Sequence, residues 1–189
     1  MIKIYIDQGH NQSQVNQGAS GNGINEADLT FEVGVYLAAL LYADCHFEVL
    51  VSRNKIDEII GFDQSSSLQT RVNQANEWGA NVFISIHGNA NENININGSE
   101  IYVYKIPSTA YDIAYDIMTQ ITLRLPIKDN GIRANPNLYV LRNTNMPSLL
   151  IELGYLTNVD DAKILQSRAF EFAFAIYEGL LQYYQLQSN

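Results

Sequence analysis

Two of the chain's three histidines stand where an apolar run gives way to Gly and Asn: His10 in "IDQGH" and His87 in "ISIHGNA". Neutral imidazole is a donor that suits zinc. The same ring at a buried strand end also serves as a core residue with one backbone hydrogen bond. Glu26 follows a Gly-studded loop and opens a segment of helical periodicity. A carboxylate in a first helical turn complements the helix dipole. Joined to two imidazoles, it also makes the two-nitrogen, one-oxygen set of catalytic Zn²⁺, with a fourth position left open. No HExxH or CxxC spacing links the three, so distance along the chain leaves both readings standing.

The fourth residue is Glu152, set inside the apolar run "SLLIELGYLTN". A lone buried carboxylate costs several kcal/mol or more, so it pairs or loses its charge. One reading is an ion pair with Arg53, Arg71, Arg133 or Arg142. The other is a proton shuttle beside a metal, because Zn²⁺ lowers the pKa of water at its open position to about 7 and an adjacent carboxylate takes the proton. A third reading pairs Glu26 with Glu152 as the two carboxylates of a glycosidase, which needs no metal and leaves His10 and His87 without a role. His46 and Cys45 in "ADCHFE" read as packing or surface residues, since no base accompanies the thiol at the active edge.

These residues need a scaffold that brings strand ends together. "IKIYID", "FEVLVS", "NVFISIHGNA", "GSEIYVYK", "LYVLR" and "SLLIELG" read as strands. Helical spacing runs from Glu26 through Leu41, over "SSLQTRVNQANEWG" with Gly79 as its stop signal, over "STAYDIAYDIMTQITLRL", and over a closing "DDAKILQSRAFEFAFAIYEGLLQYY". Strands alternating with helices predict an α/β fold: one domain over residues 1–189, with a largely parallel twisted sheet of about six strands and helices on both faces. Such sheets bind ligands beyond the carboxyl ends of their strands, where His10 and His87 both fall.

An apolar content of 47% is enough to fill one core of this size. The net charge of −9, with 11 scattered Lys and Arg, argues against a nucleic-acid partner. One cysteine excludes an intrachain disulfide. No apolar run approaches the ~20 residues of a membrane span. "MIKIYIDQGHN" has no signal-peptide core, so the expected routes to an external site are lysis, another export path, or processing of a longer chain.

The segments "YIDQGHN", "GNGINEADLTFEVGVYLAALL", "SLQTRVNQANEWGANVFISIHGNA", "LYVLR" and "PSLLIELGYLTN" together resemble the zinc-dependent N-acetylmuramoyl-L-alanine amidases of the amidase 3 type, which are bacterial and phage cell-wall hydrolases. The resemblance runs in order from about residue 3 to residue 180. It implies His10 as a ligand from a D-x-G-H pattern, Glu26 from N-E-x-D, His87 from S-I-H-x-N-A, and Glu152 as the catalytic acid–base from E-x-G-[FY]-[LI]-[ST]-N. Gln8 stands where the family commonly has Pro, and Gly88 where Ala is usual.

The resemblance further implies one Zn²⁺ per chain, peptidoglycan as substrate, and action at the cell wall on the amide between N-acetylmuramic acid and L-alanine. Alternatives are a zinc peptidase or carboxypeptidase acting on the stem peptide, and a peptidoglycan-binding module without activity. Asn89 and Arg142 are candidate substrate contacts. Asp7 is a candidate to orient a ligand or its loop. A monomer is expected.

Overall fold

The computed structural model describes residues 1–187, so the last two residues of the expected 1–189 domain lie outside the described residues. Strand β1 (Ile2–Gln8) is followed by a small hairpin, β2 (Ser20–Gly21) and β3 (Ile24–Asn25), and then by helix α1 (Glu26–Ala43). The chain continues through β4 (Phe47–Val51), α2 (Gln64–Trp78), β5 (Val82–Asn89), β6 (Ser99–Val103), α3 (Thr109–Arg124) and β7 (Asp129–Ala134). It ends with α4 (Tyr139–Asn143), β8 (Ser148–Tyr155), α5 (Val159–Ser167) and α6 (Ala169–Tyr184). The six long strands form one sheet in the order β4-β1-β5-β8-β6-β7. β4, β1, β5 and β8 run parallel, whereas β6 is antiparallel to β8 and carries β7 parallel to itself.

Helices cover both faces, as the alternation of elements predicts. Ile4, Ile6, Ile84, Ile86, Leu149 and Ile151 point into the larger core with α1, α3 and α6. Tyr5, Phe83 and Leu150 face α2 and α4 in the smaller one. Local chemistry sets the helix ends. The Asn25 side chain accepts from the N–H of Ala27 to start α1. Asp63 and Ser66 form a reciprocal capping box on α2, and Gly79 closes it at φ 70.

Two sequence expectations need correction. "LYVLR" is not a strand: its residues fold mainly into the single-turn helix α4, whose Val140 and Leu141 plug the smaller core. β8 already lies between β5 and β6, so no ladder edge beside it remains for another strand. The sixth strand is instead "DNGIRA", an edge strand of mixed and exposed residues, poor in the β-branched types that advertise a strand. The closing helix is two helices, because the chain breaks at Arg168, which caps both α5 and α6 without a Gly or Pro to announce it.

Candidate functional site

β1 and β5 are neighbours, and their ends deliver His10 and His87 to the same edge of the sheet. His10 has φ 66, in the left-handed region. That costs a residue with a Cβ about 1–2 kcal/mol, which one fully buried isoleucine such as Ile6 offsets. Close approach is what the neighbouring glycines permit. A Cβ on Gly9 would lie 2.5 Å from His87 Cε1, and one on Gly18 would lie 2.6 Å from Glu26 Oε2.

Glu26 is the first residue of α1 and is buried. Its Oε1 is 3.0 Å from His10 Nε2 and 3.0 Å from His87 Nδ1, and the two ring nitrogens are 3.1 Å apart. Ala19 N–H donates to Glu26 Oε2 and Gly88 N–H to Oε1, which fix the carboxylate. His10 Nδ1 lies 3.1 Å from the carbonyl of Asn16, which can only accept. With Nδ1 turned to that carbonyl, Nε2 is the ring atom that faces Glu26 and His87. Burial works against the Glu26 charge, but the His10 and His87 rings beside it hold its carboxyl well below the usual range.

Three possible ligand atoms thus converge. A tetrahedral ion with bonds of 2.0–2.1 Å spaces its ligands about 3.3 Å apart, close to the observed 3.0–3.1 Å. Two imidazoles and one carboxylate therefore fit a zinc ion in both chemistry and spacing. A second group, Asp44, Cys45 and His46, also gathers possible ligand atoms, but at the opposite end of the sheet. There Asp44 already accepts from the His46 ring and from the Tyr177 hydroxyl.

Glu152 stands beside His87 in the β5–β8 register, just before a shift in that register at Asn89. None of the four arginines pairs with it. Arg53 donates to the carbonyls of Gly9 and Ala27, Arg71 pairs with Asp7, Arg133 pairs with Glu100, and Arg142 lies elsewhere. Among the described residues its enclosed Oε2 has no hydrogen-bond partner. Burial, then the nearby charges of Glu26 and Glu100, push its carboxyl up to about 8. A buried polar atom left unpaired beside a converged donor set marks a candidate acid–base group.

The remaining expected residues divide. Asn89 sits at the site, its amide donating to Glu100 Oε1 at 2.8 Å. Arg142 is not brought to it: the residue lines a cavity of about 560 Å³ with Lys105 and Ser148, at the far end of β8 from Glu152. A smaller cavity of about 170 Å³ opens on the donors themselves, between Leu68, Arg71, His87, Leu138 and Tyr139. Gln8 is fully buried, and its carboxamide bonds to Ser52 and Arg53, a link that proline could not make.

Two residues carry the site without having been singled out for it. Glu100 lies opposite Glu152 across the β6–β8 ladder and is buried. Its only sequence signal is a carboxylate among the alternating apolar residues of "GSEIYVYK". Arg71, from α2, is buried against Asp7 and donates to the carbonyls of Gln8 and His10 and to the side chain of Asn11. It clamps the His10 loop from below, and Asp7 holds Arg71. Burial opposes the Asp7 charge, but the guanidinium overrides this and keeps its pKa below the ordinary value.

Replacing Arg71 with Met strands that carboxylate, so unfolding free energy at neutral pH should fall by about 3–5 kcal/mol in urea titrations. Because the native pKa of Asp7 is depressed, the pair's contribution is full above about pH 4 and fades as pH drops through the lower native value. The difference between wild type and Arg71→Met should therefore narrow in acid. A gap independent of pH would assign the loss to packing.

Residues 4–182 match the family described as N-acetylmuramoyl-L-alanine amidase. Over its full length the chain is 38% identical to the N-acetylmuramoyl-L-alanine amidase CwlM of Bacillus licheniformis, covering 71% of that protein. It is 35% identical to the sporulation-specific N-acetylmuramoyl-L-alanine amidase of Bacillus subtilis, again covering 71% of the relative. Among solved structures, the amidase AmiC2 of Nostoc punctiforme superposes with a TM-score of 0.85 at 33% identity, over 97% of each chain. The amidase of Clostridium difficile 630 gives 0.87 at 29% identity, also over 97% of each. In sequence and in fold, this chain belongs to the N-acetylmuramoyl-L-alanine amidase family.

Proposed function

We propose that this chain is a peptidoglycan amidase holding one Zn²⁺ on His10, Glu26 and His87, with Glu152 as its acid–base group. It hydrolyses the amide joining the lactyl group of N-acetylmuramic acid to L-alanine of the stem peptide. The observation that carries the reading is the unpartnered Oε2 of Glu152 beside three converged donors. When bound, zinc supplies a Lewis acid and an acidified water, the two things an unactivated amide lacks.

The chain's own residues do the rest. Glu152 takes the proton of the attacking water on its carboxylate and then delivers a proton to the departing alanine nitrogen. Expulsion of an amine needs that second transfer, because the unprotonated nitrogen is a poor leaving group. Enclosure of Oε2 keeps bulk water from competing for the proton. Asp7 and Arg71 hold the His10 loop in place, and Glu100 fixes Asn89 at the mouth of the site.

Digestion of purified cell walls followed by mass spectrometry tests the bond assignment. Intact stem peptides beginning at L-alanine, with glycan freed of peptide, are the expected products. Muramoyl-L-alanine left on the glycan would instead indicate a peptidase on the same donors. Binding with no new product would indicate a module without activity.

A further inference from the structure

The site face of the sheet carries a row of polar residues that extends past the catalytic group. His87 on β5, Glu152 on β8 and Glu100 on β6 are successive register partners. Arg133 on β7 comes next: its Nε lies 3.5 Å from Glu100 Oε2, and its backbone registers with Tyr102. On this face α2 and α4 pack in the core that contains residues of β1, β5 and β8, and the Arg133 side chain stays 58% exposed.

Glu100 is a buried carboxylate that accepts from Asn89 Nδ2 at 2.8 Å and from the Tyr155 hydroxyl at 3.0 Å, and it forms an ion pair with Arg133. Of the guanidinium's five N–H donors, Nε faces Glu100 and one on Nη2 reaches the carbonyl of Asn130 at 3.4 Å. The N–H groups of Nη1 and the second on Nη2 are left over. The Nη1 side of the guanidinium is therefore open to an anion such as a carboxylate.

The direction of the reaction says what that side meets. In the amidase reading, on which this inference rests, Glu152 protonates the departing alanine nitrogen, so the peptide leaves from the Glu152 side. β6 and β7 lie beyond Glu152, away from the three donors. Strands are spaced by about 4.8 Å, which puts the β7 backbone about 10 Å from that of β8. One or two residues of extended peptide, together with the length of an arginine side chain, span that gap.

We propose that Arg133 binds a carboxylate of the leaving stem peptide one residue beyond L-alanine, and that Glu100 is the positioning residue that aims it. The second stem residue is a glutamate joined through its side chain, so its α-carboxylate is free or is capped as a carboxamide. Arg133 then makes the enzyme selective for the free form.

The test compares two soluble substrates, N-acetylmuramoyl-L-alanyl-D-γ-glutamyl peptides that differ only in carrying the α-carboxylate or its carboxamide. Wild type is expected to favour the carboxylate by roughly tenfold in kcat/KM, chiefly through KM. Arg133→Gln, at an exposed site, should bring that ratio close to one, and Arg133→Lys should restore part of it. Equal rates on both peptides with wild type, or an unchanged preference in Arg133→Gln, would overturn the assignment while leaving the amidase reading intact. No cleavage of the muramoyl–alanine amide in either peptide would overturn both.

Discussion

Glu152→Gln is expected to reduce wall hydrolysis by roughly 10²–10⁴-fold, the usual worth of a general acid–base group. The substitution keeps shape and volume and removes only the capacity to take and give a proton. Zinc content should be unchanged, because Glu152 is not among the three converged donors. Stability should hold or rise, since burial and the nearby charges of Glu26 and Glu100 disfavour the ionised carboxyl and push it up to about 8. A glutamine removes that penalty. Turbidity loss on purified walls reads the activity, and metal analysis on the same sample reads the site. More than a tenth of wild-type activity with full zinc would remove Glu152 from the proposed role.

Stripping the metal with a chelator should abolish lysis, with recovery on adding Zn²⁺. The same experiment has a readout independent of turnover. Without a cation, two imidazoles and a carboxylate crowd within 3.0–3.1 Å of one another, and His10 sits at φ 66. A ligand present at 1,000 times its Kd stabilises the folded state by about 4 kcal/mol. For a chain of this size that raises Tm by about 10 °C. His10→Ala should lose both the zinc and the shift in Tm. A melting temperature indifferent to zinc, with lysis surviving chelation, would dismantle the metal assignment.

Much of the scaffold was legible from pattern. The runs around Ile4, Val49, Ile84 and Leu150 are too apolar to be anything but buried strands, and α2 announced its end with Gly79. What failed to show is also physical. A single-turn helix such as α4 has no period to display, and the edge strand β7 is mostly exposed or half-buried, so it carries few of the apolar residues that advertise a strand. The break at Arg168 has no breaker residue to announce it.

The sequence by itself determined which chemistry was available: two imidazoles near strand ends, a helix-opening carboxylate and a glutamate inside an apolar run. Only the tertiary structure decided their company. It showed that Glu152 pairs with none of the four arginines, that Arg71 instead clamps the His10 loop through Asp7, that Arg142 lies away from the site, and that Glu100 and Arg133 extend the row beyond Glu152. The reason is one of range. Element type follows from neighbours a few residues apart, whereas the partner of a buried charge is set by strand order and register, which join residues 50 to 80 positions apart.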